Sequence, residues 1–196
     1  MRWLPVLLTG LMVGTSGCAA LQELFGTAPT PPAASVGATP VELSWVADEP
    51  VFVLVDKRCR RLDVYERGRR VRSFEAVFGG GGLGTKRYEG DRRTPIGLYA
   101  IVHKRWHPRW SRFLLLDYPN PDDVARYRQD IERGWVPEHD GSSAGIGGAI
   151  GIHGTDKPEL NATGINWTHG CVSIANADVE ELYRIVPEGT FVLIRE

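Results

Sequence analysis

No apolar stretch here is long enough to hold a permanent membrane helix: the run from Trp3 to Val13 falls short of a bilayer and is broken by Pro5. Charge of one sign is also missing, since 23 Lys and Arg face 24 Asp and Glu for a formal net charge of -1. That balance gives no long-range pull toward nucleic acid, and none is expected as a partner. The four glycines Gly79 to Gly82 are not followed by Gly-Lys-Ser/Thr, nor does a helical pattern open after them, so a loose exit from a strand is expected there instead of a phosphate cradle. His153, His169 and Cys171 have neither the i, i+4 helical spacing nor the paired carboxylate of a catalytic zinc set, so no metal is expected. No cofactor is implied. With 196 residues there is room for one domain of ordinary size.

What is present begins with Arg2, the short apolar run Leu4 to Val13, and the small residues Thr15-Ser16-Gly17 before Cys18, the order of an export signal. Cys18 in that setting resembles the lipobox of bacterial lipoproteins, although Thr15 stands where Leu is usual. The resemblance implies a signal over residues 1–17, lipidation of Cys18 and a membrane partner reached through the lipid. Ala19 and Ala20 supply no acidic retention signal, which by the same analogy suggests the outer membrane and a periplasmic face. From Gly26 to Pro40 the chain is Ala, Pro, Thr, Ser and Gly without apolar period, so residues 18–48 are expected to be a disordered tether. The folded domain is then 49–196.

Within it, Val51 to Val55, Leu62 to Tyr65 and Val71 to Phe78 predict a meander of three strands, with turns at Lys57 to Arg60 and Arg67 to Arg69. Strands follow near Gly97 to Ile101, Arg112 to Tyr118 and Phe191 to Ile194. Asn120 as cap, Pro121, Asp122 and Asp123 predict a surface helix ending at Gly134. Asn176 as cap, with Val179, Leu182, Tyr183 and Val186, predicts another. Strands neighbouring strands argue against a parallel βαβ sheet. The fold class expected is mainly β, an antiparallel barrel or sandwich with two or three short helices.

Chemistry concentrates in His153-Gly154-Thr155 and Thr168-His169-Gly170-Cys171. Carbonyl chemistry by a thiol needs a thiolate, a base to form it and amide donors for the oxyanion. The two motifs resemble the signature of the YkuD family of L,D-transpeptidases, and Gly90-Asp91 with Thr94-Pro95-Ile96-Gly97-Leu98-Tyr99 looks like the family's upstream segment. The resemblance implies Cys171 as nucleophile, His153 as general base and acid, and the backbone amides of Gly170 and Cys171 as oxyanion site. Peptidoglycan stem peptides would be the substrate, cut at an amide between an L- and a D-centre. Thr155, Thr168 and His169 are supporting candidates, and His169 either bonds near the thiolate or fixes the loop. Asp91 is a further candidate for positioning. Many members carry Arg two residues after the cysteine, and Ser173 here resembles the YafK-like branch instead. That branch joins wall components or cuts a lipoprotein from them, so amine and water both stay open as acyl acceptors. A hydrolase or a silent wall-binding lipoprotein are the alternative readings. Cys59 is expected to be a free or incidental thiol, the arginines Arg58 to Arg70 a solvated edge, and Trp106, Trp110 and Trp135 either a lid or packing.

Overall fold

The computed structural model describes residues 49–196, so the expected signal, Cys18 and the tether lie outside the described residues. Ten strands and three helices follow in the order β1 (Phe52–Asp56), β2 (Arg61–Glu66), β3 (Arg69–Glu75), β4 (Gly97–His107), β5 (Ser111–Leu116), α1 (Pro121–Glu132), β6 (Glu138–His139), β7 (Ser142–Ser143), β8 (Gly151–His153), α2 (Pro158–Ala162), β9 (Val172–Ser173), α3 (Asn176–Ile185) and β10 (Phe191–Arg195). Eight strands form one curled sheet in the order β3-β2-β1-β10-β4-β5-β8-β9, a half-barrel, while β6 and β7 make a small hairpin. The expected mainly β architecture holds. No helix among the described residues is long and apolar enough to cross a membrane.

The curl has a local cause. β4 pairs with β10 through its first residues and with β5 beyond Ile101, and its register shifts between Ile101 and His103. A bulge of this kind bends the strand and raises its twist, which lets one strand serve both halves of the sheet. All five residues of β1 are buried, as expected of a strand covered on both faces. Val179 and Leu182 on α3 are fully buried and close the core over β5 and β8.

Two pairings are parallel, β1 with β10 and β8 with β9. Parallel neighbours need a crossover of about a dozen residues or more. The segment from Gly154 to Cys171, which contains α2, is such a crossover, and it places the second motif beside the first.

Helix α1 starts as expected: the Asn120 side chain accepts from the amides of Asp122 at 3.0 Å and Asp123 at 3.1 Å, and the Asp123 carboxylate accepts from the Asn120 amide at 3.1 Å. Its buried residues are Asp123 and Asp130, so the inward face is held by polar contacts. Tyr99 donates its hydroxyl to Asp123 at 3.1 Å and Arg87 donates to Asp130 at 2.9 Å.

Two expectations are corrected. Asn176 is the first residue of α3, the cap position is Ala175, and the Asn176 side chain is spent elsewhere. It accepts from the Thr155 amide at 2.7 Å and donates to the Thr155 carbonyl at 2.9 Å. Cys59 is disulfide-bonded, not free, and Cys171 is the free cysteine among the described residues. Its turn is built for a fixed position, because the Cys59 amide donates to Asp56 Oδ1 at 2.7 Å.

Candidate active site

Strand β8 ends on His153 and β9 begins one residue after Cys171. In their parallel register Ile152 faces Val172 and His153 faces Ser173. Side chains two apart share a face of a strand, so Gly151 and His153 on one strand and Cys171 and Ser173 on the next all belong to one face. His153 and Cys171 are diagonal neighbours there. Both line a cleft of about 380 Å³, together with Trp110, Trp167, His169 and Lys157.

The imidazole of His153 is almost fully buried. Trp110 stacks on it with centroids 4.3 Å apart, and Trp167 meets it edge-on at 6.0 Å. Burial, opposed by the Gly154 carbonyl, pushes its pKa down to about 4 from 6.5. Nδ1 lies 2.6 Å from the carbonyl oxygen of Gly154. A carbonyl only accepts, so the proton of the neutral ring is on Nδ1 and Nε2 carries the free lone pair.

The Gly154 carbonyl is held from a second side. Ser173, fully buried, donates Oγ to it at 3.0 Å, and Asn161 of α2 donates to Ser173 at 3.1 Å. Asn161 Oδ1 in turn accepts from the Trp167 indole at 2.9 Å. One chain of hydrogen bonds thus joins the histidine's orienting carbonyl to an indole on the cleft wall. Gly154 admits no side chain, since a methyl there would overlap the Asn176 side-chain oxygen and lie 2.5 Å from the Trp110 carbonyl oxygen.

The Cys171 thiol donates to the carbonyl of Ala149 at 3.6 Å. Ala149 has φ 53°, a left-handed conformation uncommon outside glycine, and that turn belongs to the cleft wall. The residue keeps some solvent access, but protein atoms crowd the sulfur, and desolvation pushes its pKa up to about 11 from 9.0, with the Gly151 amide and the Lys86 charge opposing. The resting pair is therefore a neutral thiol beside a neutral imidazole.

Of the supporting residues, Thr168 is buried and donates Oγ1 to the Cys171 carbonyl at 2.7 Å, fixing the turn that presents the thiol. The same oxygen accepts from the Gly170 amide, the N–H expected at an oxyanion, at 3.2 Å. Gly170, at φ 137°, turns it there, and a methyl on Gly170 would lie 2.9 Å from the Arg93 carbonyl oxygen. Thr155 is buried and serves the chain, its Oγ1 accepting from the Lys157 amide at 2.8 Å as the crossover turns into α2. His169 is exposed on the cleft wall. Asp91 organises the loop around it and is not among the cleft's lining residues.

The glycine run behaves as a loop that approaches other backbone closely. Gly80 donates its amide to the Thr168 carbonyl at 3.0 Å, and a methyl on Gly79 would overlap the Arg92 carbonyl oxygen. The tryptophans divide: Trp110 stacks in the site, while Trp106 and Trp135 are exposed. Sequence reasoning did not identify Ala149, Asn161, Trp167 or the Gly154 carbonyl as parts of the site. Only Gly154 carried a signal, as the middle residue of a motif.

Comparison with known proteins agrees with this geometry. The model of the L,D-transpeptidase catalytic domain matches residues 50–194. YafK of Escherichia coli K12 is 24% identical over 195 residues, which is 95% of this chain and 64% of that protein. YkuD of Bacillus licheniformis is 28% identical over 146 residues, 74% of this chain and 66% of that protein. The crystal structure of Pgp2, a helical cell shape determining protein of Campylobacter jejuni, superposes with a TM-score of 0.54 at 25% identity, covering 74% of this chain and 47% of that one. The chain thus spans less than two thirds of YafK and about half of Pgp2. With a family model reaching from β1 into β10 and both motif strands inside it, the chain belongs to the family of L,D-transpeptidase catalytic domains.

Proposed function

We propose that the protein is a peptidoglycan L,D-transpeptidase that works through a thioester on Cys171. The observation that carries this reading is the His153 tautomer: Nδ1 is tied to the Gly154 carbonyl, so Nε2 is the basic atom on the face shared with Cys171. Because both groups are neutral between about pH 4 and about pH 11, the thiol proton moves to Nε2 as the sulfur attacks. The carbonyl attacked is that of an amide between an L- and a D-centre of a stem peptide. The C–S bond forms, the carbonyl oxygen takes the negative charge near the Cys171 amide, and the C–N bond breaks as His153 returns its proton to the leaving amine. An acceptor amine then takes the acyl group, or water does so in a hydrolase. Cell-wall remodelling, and with it cell shape, is the process served.

Export and anchoring at Cys18 belong to the same proposal and place the site at the periplasmic face of the envelope. The intact mass of full-length protein from detergent-extracted membranes tests the expected thioether at Cys18.

The test is intact-mass spectrometry of the full chain, wild type and Cys171→Ala, after incubation with a carbapenem and separately with peptidoglycan fragments. The expected result is an adduct on the wild type alone, with fragment products showing cross-linking or hydrolysis. No adduct and no change in the fragments would reject the enzyme and favour a silent wall-binding protein.

A further inference from the structure

A second pocket, of about 420 Å³, is lined by Gly81, Arg87, Tyr88, Asp91, Arg93 and Trp135. None of these residues lines the cleft at Cys171. The two sites are nevertheless close, since Gly170, next to the thiol, packs against the backbone carbonyl of Arg93 with no room for a methyl. Lys86, paired with the Asp91 of this pocket, is near enough for its charge to act on the Cys171 thiol.

The pocket's charges decide what it can hold. Asp91 is saturated: Oδ1 accepts from Lys86 Nζ and from the Arg93 amide, each at 2.9 Å, and Oδ2 from the amides of Arg87 at 2.6 Å and Tyr88 at 3.4 Å. Its negative charge is matched by the buried Lys86 ammonium at 2.9 Å. Arg87 is matched by Asp130, also at 2.9 Å. Arg93 gives one donor, Nε, to the Gly81 carbonyl at 3.3 Å and has no carboxylate partner among the described residues. The pocket therefore keeps one uncompensated guanidinium, whose fork geometry suits a carboxylate. Beside it Trp135 is half exposed, with the guanidiniums of Arg87 at 4.5 Å and Arg133 at 5.1 Å from its ring centroid. A half-exposed indole is an apolar platform for a ligand.

Resting on the proposed transpeptidase reading, we propose that this pocket is the acceptor subsite, holding the carboxylate of the incoming peptide on Arg93 and an apolar part of it on Trp135. The acceptor's amine, held near the thioester, attacks the acyl carbon. The C–N bond forms and the C–S bond breaks. The amine's proton passes through His153 to the departing sulfur, which restores the neutral pair.

The experiment uses the full chain with a stem tetrapeptide as donor and an amine-bearing tripeptide as acceptor, offered as free carboxylate and as carboxamide. In Arg93→Ala and Trp135→Ala the acceptor KM is expected to rise about tenfold or more, the effect of losing a charge-assisted hydrogen bond or a large buried contact. Acyl-enzyme then accumulates in the variants, seen by intact mass. The carboxamide acceptor binds the wild type as weakly as the carboxylate binds Arg93→Ala, and Arg93→Ala weakens it no further. Trp135→Ala, at an exposed position, guards against misfolding of the Arg93 loop. Acceptor KM values within twofold of wild type, with acylation intact, overturn the inference alone. A fall in acylation parallel to the fall in transfer in both variants assigns the pocket to the donor and also overturns it. No acyl-enzyme in the wild type overturns the proposed function and this inference with it.

Discussion

Acidification should unfold this protein in a way that His153 alone accounts for by a measurable amount. The residue titrates at 6.5 when unfolded and at about 4 in the folded chain, chiefly because burial opposes its charge. Between those values the unfolded chain binds a proton that the folded chain refuses, so stability is complete above about pH 6.5 and is lost as pH falls toward 4. Each unit of difference corresponds to about 1.4 kcal/mol, and integrating from pH 7.5 to 4.5 gives a loss of about 2.5 kcal/mol from this one group. Other acid-sensitive groups contribute as well, so the assay is a difference of differences. Urea unfolding is followed at both pH values for wild type and for His153→Gln, in which a side-chain amide can still donate to Gly154. The wild type should lose about 2.5 kcal/mol more than the variant over this interval. Equal losses would refute the argument, because they would mean that the folded protein accommodates the imidazolium and that Nε2 is no neutral resting base.

Two further outcomes follow from the contacts around Gly154. Gly154→Ala must displace the Asn176 oxygen and the Trp110 carbonyl, so urea unfolding should show a loss of about 3 kcal/mol, and a loss below about 1 kcal/mol would mean that α3 yields without cost. Ser173→Ala removes one of the two donors to the Gly154 carbonyl and leaves the Asn161 amide short of a partner, at about 1–2 kcal/mol. Its carbapenem acylation rate should fall by about tenfold through misplacement of His153, with Ser173→Thr recovering most of it, and an unchanged rate would show that Nδ1 alone fixes the ring.

Much of the sheet was legible because its signals are local. A run of β-branched and aromatic residues marked the first strand and alternation the second, and Asn120-Pro121-Asp122-Asp123 marked α1 because each residue satisfies a helix start by its own chemistry. Asn176 carried an equally good local signal for α3, and there the expectation failed. An Asn side chain can cap its own helix or bond a distant backbone with the same atoms, and only the tertiary approach of Thr155 decides between them. The same limit hid Asn161, whose partners Ser173 and Trp167 lie outside its own helix α2. Cys59 was misjudged for a related reason, since spacing along the chain does not say which thiols meet.

The pairing of His153 with Cys171 was legible only through two motifs, and the fold supplies the physical link between them. A crossover carrying α2 returns the chain parallel to β8, which puts the cysteine's strand beside the histidine's and brings Ser173 opposite His153. Ser173 then gives a neutral hydrogen bond to the carbonyl that orients the imidazole. Gly154 must therefore present its carbonyl to two side chains, while its Cα sits against Trp110 and Asn176. A histidine at that strand end could be held by other acceptors, but the residue after it has no space for a side chain. The glycine of His-Gly-Thr is thus as strictly required by the packing as the histidine is by the chemistry.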